Sequence, residues 1–429
     1  MIPEYVLRVI LLDNPWLEGG DPVNWYSGFL PDYYIPRSLT LTADNKVCLV
    51  VGPRQAGKST LIWKTLSEVK EPCLYINCEE PAIREWLVSP AEFIAGLKTM
   101  VSPGTAVFFD EIQQLNEAGL FLKGLVDRRT GYKLYATGSS VFDLEAATRE
   151  SLAGRADRHL LLPLSLNEIS REIKGAQAVV ARKKSFLLEK LLIYGGYPPV
   201  YTAEQPEQEL IGLVEAFVIR DASDRFRIKR PAAFRKIMEL SASQIGSLCN
   251  YSEWANVAGI SSDTVKEYAG MLEDSHILRF VRPFVGGKRA EITSSPKIYF
   301  LDNGIRNQMF GGFLKFASRT DRGALQENFI FTELYKSINP LLDSIRYWRS
   351  KSGAEVDFVV EKKGVVTAWE VKAGDCRGKI TRSSRSFIEA YHPSDFYVVN
   401  QKKYPEKKIG ETIVHFLSPE EVSTVVNLT

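Results

Sequence analysis

Two kinds of hydrophobic pattern alternate along the first part of the chain. Between residues 40 and 165, short uninterrupted apolar runs alternate with longer segments whose apolar residues recur at helical spacing. Short apolar runs are typical of buried parallel strands, and their alternation with helices predicts an α/β fold with a doubly wound parallel sheet. The predicted strands lie at residues 46–51, 73–77, 106–110 and 133–137.

The pattern changes further along the chain. After residue 165 it becomes helical, with a break at Gly195-Gly196-Tyr197-Pro198-Pro199. Two short helices are then predicted around Gly259, followed by an apolar strand at 277–281. This spacing suits a winged helix-turn-helix, although a spacer or protein-docking module would show the same pattern. The predicted segments are an N-terminal arm (1–35), a P-loop core (36–165), a helical lid (166–240), a winged-helix-like module (241–288) and a C-terminal α/β domain (289–429).

Composition narrows the class of protein. A chain of 429 residues is expected to form two to four domains, and 45% hydrophobic with 25% charged residues is typical of a globular protein. The five cysteines form no CxxC pair and the four histidines are isolated, which favours a cytoplasmic location and argues against a zinc site. No apolar run approaches the roughly 20 residues that cross a bilayer. The N-terminus lacks a secretory pattern, so we expect no membrane partner.

The most specific motif lies between the first predicted strand and the following helix. Residues 52–59 read GPRQAGKS and fit the phosphate-binding pattern GxxxxGK[ST]. In this pattern backbone N–H groups surround a phosphate, Lys58 reaches the terminal phosphates and Ser59 binds Mg²⁺. The helix N-terminus adds a favourable dipole. The residues predicted to bind ATP are Gly52, Pro53, Arg54, Gln55, Ala56, Gly57, Lys58, Ser59, Thr60 and Ser139.

The third predicted strand carries the pattern of a Walker B strand. It ends in Asp110 and Glu111. We expect Asp110 to hold Mg²⁺ and Glu111 to orient or deprotonate the attacking water. Ligands of open α/β sheets bind at the carboxyl ends of the strands. Ser139 or Thr137, at the end of the next strand, is therefore expected to sense the γ-phosphate.

An arginine that neutralises the transferring phosphoryl group is also expected. Such a residue contributes roughly 10³–10⁵ in rate. Arg155 is the candidate, contributed by the same chain or by a neighbouring subunit, and Arg158 is a close competitor. A structural ion pair is the alternative role for Arg155.

These motifs together resemble the prokaryotic AAA-type ATPases that are fused to a C-terminal nuclease-like domain. The resemblance covers nearly the whole chain and implies an AAA-like core, a helical and winged-helix middle region and a PD-(D/E)xK nuclease-like end. It also implies a homo-oligomer, with a hexamer as one form. The matching stretches are Gly52–Ser59, Phe108–Glu111, Thr137–Ser140, Ala153–Arg155, Leu162–Ser165 with Glu168, Gly195–Pro198, Arg220-Asp221 and Glu327–Phe329.

A second candidate site lies near the C-terminus. Residues 353–372 predict a hairpin around Lys363 that brings Asp357 close to Glu370, and Glu370 shares a face of its strand with Lys372. This is the D…ExK cluster of PD-(D/E)xK nucleases. Asp357 and Glu370 are expected to bind a second divalent metal, Mg²⁺ or Mn²⁺, while Lys372 stabilises the developing charge.

In such nucleases a helical glutamate completes the metal site. Glu327 is the best match in this chain, and Glu333 is the fallback. The pattern is compatible both with cleavage and with DNA binding that has lost cleavage.

Local charge supports a nucleic-acid partner. The net charge is only +2, but residues 362–408 hold eleven Lys or Arg against five Asp or Glu, and residues 225–230 form a second basic stretch. We therefore predict an ATP-hydrolysing AAA-like ATPase that acts on DNA, with branched DNA or ends as candidate substrates. The alternative is an ATP-dependent switch or protein remodeller whose C-terminal domain docks partners without cleavage. Lys58, Asp110 and Glu111 argue against a scaffold without turnover.

Overall fold

A computed structural model describes residues 2–138, 151–217, 228–284 and 295–426. The chain divides into two compact units, Met1–Leu162 (unit 1) and Pro163–Thr429 (unit 2). None of the described helices is both long and apolar enough to cross a membrane.

Unit 1 is built on a parallel sheet. Its strands are β1 (Val47–Val51), β2 (Cys73–Asn77), β3 (Ala106–Asp110), β4 (Lys133–Gly138) and β5 (Ala156–Leu160). Within the described part of unit 1 their order is β2-β3-β4-β1-β5, with every neighbouring pair parallel. The helices are α1 (Glu4–Asp13), α2 (Lys58–Val69), α3 (Pro81–Trp86), α4 (Pro90–Met100) and α5 (Ala118–Asp127), with 3-10 turns at Pro15–Glu18, Trp25–Phe29 and Ile112–Gln114.

The interior strand β1 is buried on both faces. Val47 and Leu49 lie in one hydrophobic core, and Cys48 and Val50 lie in the other. Helices on both faces of a parallel sheet produce such apolar strands. The predicted parallel α/β core is thereby confirmed. The sequence pattern does not predict β5, because its residues ADRHL are largely polar and only partly buried.

The N-terminal segment packs against the helix that follows the phosphate loop. Tyr26 and Phe29 stack on Trp63 of α2, with ring centroids 5.5 and 5.2 Å away. Arg37 Nη1 donates a hydrogen bond to the Ala56 carbonyl of the loop at 2.8 Å. These contacts hold the loop and its helix from one side.

Unit 2 begins with helices. They are α6 (Leu166–Ser170), α7 (Gln177–Tyr194), α8 (Pro198–Thr202), α9 (Pro206–Ala216), α10 (Pro231–Ser243), α11 (Tyr251–Ala258) and α12 (Ser262–Asp274). Between α11 and α12, Gly259 adopts a left-handed φ of 65° and Ser261 caps α12 by accepting from the Thr264 N–H. An antiparallel pair follows, β6 (Leu278–Val281) and β7 (Lys297–Phe300).

The C-terminal part of unit 2 is a mixed sheet. Its strands are β8 (Ser344–Arg349), β9 (Glu355–Lys362), β10 (Val365–Val371), β11 (Asp395–Val399), β12 (Tyr404–Ile409) and β13 (Thr412–Leu417). Among the described residues their order is β12-β13-β11-β10-β9-β8. The pairs β10–β11 and β11–β13 are parallel and the others antiparallel. The helices are α13 (Asn303–Phe310), α14 (Arg322–Lys336), α15 (Arg382–Tyr391) and α16 (Pro419–Val425), with a 3-10 turn at Phe316–Ser318.

Candidate functional site

The predicted phosphate loop connects β1 to α2. At Gly52 a Cβ atom would lie 2.1 Å from the Leu161 carbonyl oxygen, so only glycine fits where the loop leaves the sheet. Gly57 stands before the helix with φ 91°, and no side chain caps the N-terminus of α2. A strand, a tight loop and an uncapped helix N-terminus form the geometry that binds phosphate.

Lys58 lies along this loop. Its side chain is buried, and Nζ donates to the carbonyl oxygens of Gly52 at 3.2 Å and Pro53 at 2.9 Å. The ammonium group is therefore held at the loop, next to the position that a phosphate would take.

Asp110 at the end of β3 receives hydrogen bonds from three hydroxyl groups. Ser59 Oγ of the loop donates to Oδ1 at 2.8 Å, and Thr137 Oγ1 donates to the same oxygen. Tyr75 Oη donates to Oδ2 at 3.1 Å. Burial raises the pKa of Asp110, and the hydrogen bonds from Thr137, Ser59 and Tyr75 only partly offset this. The phosphate loop and the acidic strand end thus meet at one carboxylate.

The oxygen atoms at this point suit Mg²⁺. Ser59 contributes a hydroxyl and Asp110 a carboxylate, and both are hard oxygen ligands of the kind that Mg²⁺ binds together with water and substrate phosphates. The partners of Asp110 described above are neutral hydroxyls, so they leave its negative charge uncancelled. Ser59 and Asp110 are therefore the residues that would hold the ion.

Glu111 is held in an unusual backbone conformation. Its φ is 53°, in the left-handed region that costs a non-glycine residue energy. The Glu111 N–H donates to Thr137 Oγ1 at 3.0 Å, and Gln113 Nε2 donates to its carboxylate. The strained turn and these two contacts fix where the glutamate points.

Two residues at this site have no sequence signal. Tyr75 reaches Asp110 from β2, and Gln113 reaches Glu111 from the 3-10 turn. Neither belongs to a motif, because each contact depends on the order of the strands or the shape of a turn. Thr137, predicted as a phosphate sensor, lies against Asp110 and Glu111, while Ser139 lies outside the described residues.

Arg155 makes an ion pair within its own unit. Its Nε lies 2.5 Å from Oδ1 of Asp127, the last residue of α5, and about a third of the arginine side chain (35%) is exposed. Arg155 precedes β5, and Arg158 lies within that strand.

In unit 2 the predicted hairpin brings Asp357 and Glu370 together. The register pairs Phe358 with Trp369, which sets Asp357 opposite Glu370. Asp357 Oδ2 accepts from the Val371 N–H at 2.7 Å, and Glu370 Oε1 lies 2.6 Å from Lys372 Nζ. A cavity of about 290 Å³ opens beside Glu370 and Lys372.

A lysine that the sequence does not predict stands in this cluster. Lys297 of β7 is 5% exposed, and its Nζ lies 3.7 Å from Oε1 of Glu327 and pairs with Glu355. Burial alone would lower the pKa of Lys297, but Glu327 and Asp357 raise it above its usual value, so the side chain stays charged. The pKa of Asp357 is raised by burial and by the nearby Glu327.

The expected grouping of Glu327, Asp357 and Glu370 around one metal is not found. Among the described residues no three His, Cys, Asp or Glu side chains are arranged to hold an ion. The physical reason is that two ammonium groups lie among these carboxylates: Lys297 Nζ is 3.7 Å from Glu327 Oε1, and Lys372 Nζ is 2.6 Å from Glu370 Oε1. The fallback, Glu333, is buried elsewhere, where it accepts from the Leu166 N–H at 3.2 Å and lies 3.4 Å from Lys336 Nζ.

Comparison with known proteins bears on the domain that contains the first of these two sites. Residues 44–170 match the family described as AAA domain. This stretch is a P-loop ATPase domain. Residues 185–315 and 322–418 match two families described only as domains of unknown function, DUF8612 and DUF4143. Those matches do not test the nuclease-like character of the C-terminal sheet.

Similar proteins occur in bacteria and archaea. Uncharacterized proteins of Mycobacterium bovis and Mycobacterium tuberculosis are each 28% identical over 349 residues, covering 80% of this chain and 73% of theirs. An uncharacterized protein of Methanocaldococcus jannaschii is 22% identical over 330 residues, covering 74% of this chain and 72% of its own. The Walker-type ATPase of Pyrococcus abyssi has a TM-score of 0.39 at 16% identity, covering 61% of this chain and 90% of that one, a likeness too low to carry an argument.

Proposed function

We propose that this chain hydrolyses ATP in unit 1 and uses the hydrolysis to act on DNA. The observation that carries the first part is the hydrogen bond from Ser59 to Asp110, which joins the phosphate loop to the acidic end of β3. Lys58 binds the terminal phosphates, and the uncapped N-terminus of α2 donates backbone N–H groups to them. Ser59 and Asp110 would hold Mg²⁺, which would supply charge stabilisation to the phosphates.

Glu111 acts as the general base in this proposal. Its carboxylate accepts a proton from the attacking water, and Gln113 keeps it oriented until substrate binds. Arg155, or its competitor Arg158, neutralises the transferring phosphoryl group. Arg155 pairs with Asp127 in its own chain, so this ion pair must open before the arginine acts. We assign its action to the ATP site of a neighbouring copy in a homo-oligomer.

The DNA part of the proposal rests on charge in unit 2. Lys407 Nζ donates to the Gly378 carbonyl at 2.7 Å and Lys402 Nζ lies 3.0 Å from Asp375 Oδ2, so β12 packs against the loop after β10. This packing brings Lys402 and Lys407 to the loop that carries Arg377 and Lys379. We call the exposed cations of residues 377–408 the basic surface. Its members are Arg377, Lys379, Arg382, Arg385, Lys402, Lys403, Lys407 and Lys408.

The helical pair α11–α12 with β6–β7 has the order of a winged helix-turn-helix, but its charge does not favour phosphate. The exposed residues of α12 include Asp263, Lys266 and Glu267, with one positive and two negative charges. Sequence-independent DNA binding depends on Lys and Arg near the phosphates. We therefore assign the phosphate contacts to the basic surface and leave α12 with a positioning role.

The test compares ATP turnover with and without duplex, single-stranded and branched DNA. The double variant Arg382→Ala/Arg385→Ala should lose DNA stimulation. The slope of the logarithm of its DNA affinity against the logarithm of salt concentration should become shallower by about one for each phosphate that it no longer binds. Its turnover without DNA should stay unchanged. The matched control is Lys236→Ala, an exposed lysine of α10. DNA-indifferent turnover would support the protein-remodelling alternative.

A further inference from the structure

We propose that the C-terminal carboxylate cluster, made of Glu327, Glu355, Asp357 and Glu370, carries its own cation. The ammonium group of Lys297 pairs with Glu355 and lies 3.7 Å from Glu327, so a protein side chain supplies the positive charge that a divalent metal would supply in a nuclease site. The inference rests on the nuclease-like interpretation of unit 2. It is independent of ATP hydrolysis and of DNA binding.

The location of Lys297 is the first argument. Lys297 is the first residue of β7, and only 5% of its surface is exposed. Its Nζ pairs with Glu355 and lies 3.7 Å from Glu327, while the Tyr347 ring centroid is 5.6 Å away. A buried ammonium group requires such partners, because an unpaired one would be strongly destabilising.

The carboxylate oxygens give the second argument. Glu327 Oε1 accepts from Tyr299 Oη at 2.6 Å, and Asp357 Oδ2 accepts from the Val371 N–H at 2.7 Å. Glu370 is engaged by Lys372 at 2.6 Å, by Thr381 Oγ1 at 3.2 Å and by Ser384. Mg²⁺ requires a nearly octahedral set of oxygen ligands, and these donors compete with it for the carboxylate oxygens.

Charge balance gives the third argument. Glu327 and Glu355 lie beside Lys297, whereas Glu370 pairs with Lys372, so removing Lys297 would leave Glu327 and Glu355 without their cation. The resulting excess of negative charge attracts a divalent cation, as carboxylate-rich sites do in metalloproteins. Lys297 therefore decides whether these carboxylates are neutralised by a side chain, which closes the site, or remain open to a metal ion. Metal-assisted phosphodiester hydrolysis requires the open form.

The experiment is Mn²⁺ binding to the full-length protein in the absence of nucleotide and DNA, followed by electron paramagnetic resonance. We expect the wild type to bind no Mn²⁺ at this cluster. Lys297→Ala should gain one Mn²⁺ site per chain that the wild type lacks. Adding Asp357→Asn to Lys297→Ala should remove that site. Lys363→Ala, which removes an exposed lysine from the nearby turn, should gain none.

Lys297→Met covers the case in which the alanine variant fails to fold, because methionine keeps the length of the side chain in the buried position. Circular dichroism checks the fold of each variant before titration. The proposal is wrong if the wild type binds Mn²⁺ in a manner that Asp357→Asn abolishes. It is also wrong if neither folded Lys297 variant gains a site. Both outcomes leave ATP turnover and DNA binding untouched, so they are distinguishable from failure of the proposed function.

Discussion

The two units place similar side chains at the end of a buried strand but treat their charge differently. In unit 1, Asp110 is contacted by the hydroxyl groups of Ser59, Tyr75 and Thr137. In unit 2, Glu370 pairs with Lys372, and Glu327 lies 3.7 Å from Lys297. Hydroxyl groups orient a carboxylate without cancelling its charge, whereas an ammonium group neutralises it.

We infer from this difference that the carboxylate in unit 1 can bind a cation, whereas the cluster in unit 2 is neutralised by its own lysines. A buried carboxylate held by neutral donors lowers the stability of the folded protein, and Mg²⁺ binding would offset that loss. A carboxylate paired with lysine is stable without ligand. We therefore expect the acidic residues to take part in catalysis in unit 1 and to stabilise the fold in unit 2. Four substitutions test this contrast.

The largest effect is expected for Lys58→Ala. Loss of the ammonium group at the phosphate loop should reduce ATP turnover by roughly 10³-fold or more, because no other group replaces its charge on the terminal phosphates. The measurement is steady-state phosphate release. Lys64→Ala, on the same helix and 3.4 Å from Glu68, is the matched control and should keep wild-type turnover. Equal loss in both variants would point to damage of α2 rather than to the site.

Glu111→Gln should lower turnover by about 10²–10⁴-fold while ATP binding is retained, because the amide cannot accept the proton of the attacking water. Fluorescence measures whether ATP binding is retained, and single-turnover kinetics measure the loss of hydrolysis. The mirrored substitution Glu370→Gln in unit 2 should leave turnover without DNA unchanged. A Glu111→Gln enzyme that hydrolyses ATP normally would remove Glu111 from the mechanism.

Asp321→Asn tests whether ion pairs support unit 2. Asp321 pairs with Arg306, which is 1% exposed, and Arg319. Burial alone would raise the pKa of Asp321, but hydrogen bonds from Arg319 and Arg306 outweigh it and lower the pKa to about 2. Leaving Arg306 without its carboxylate should cost about 3 kcal/mol in the free energy of unfolding.

The lowered pKa gives the same ion pairs a pH dependence. Their contribution is present above the unfolded value near 3.8 and is lost as pH falls through about 2. Urea unfolding at several pH values should show this loss in the wild type and not in Asp321→Asn. Asp263→Asn, whose carboxylate is 93% exposed, is the control and should change stability by less than about 1 kcal/mol.

The smallest effect is expected for Asp110→Asn, and its sign is opposite. The pKa of Asp110 is raised, so its ionised form destabilises unit 1 as pH rises above the unfolded value of 3.8. Without nucleotide, the asparagine variant should be more stable at neutral pH by roughly 0.5–2 kcal/mol. Thermal unfolding measures this. Mg²⁺ and ATP together should raise the melting temperature of the wild type far more than that of the variant.

The sequence predicts the unit 1 site better than the unit 2 site for a physical reason. Residues 52–59 are contiguous, so the loop, the helix start and Lys58 are positioned by local backbone geometry. Asp110 follows because parallel strands end at the same edge of a sheet. Tyr75 could not be predicted, since it depends on β2 lying next to β3.

In unit 2 the hairpin of Asp357 and Glu370 is also local and could be predicted. Lys297 lies in β7, well before the hairpin in the sequence. It reaches the cluster only because β7 packs against α14. No periodicity or motif marks such a contact. The pattern D…ExK therefore identifies Asp357 and Glu370 but not Lys297, which pairs with Glu355 in the same cluster.

The most direct test of the account measures phosphate release and strand cleavage in one reaction that contains the full-length protein, ATP, end-labelled branched DNA and either Mg²⁺ or Mn²⁺. The account predicts phosphate release that disappears in Lys58→Ala, together with DNA strands that stay intact. Phosphate release that survives Lys58→Ala, or strand cleavage that Asp357→Ala abolishes, would contradict it.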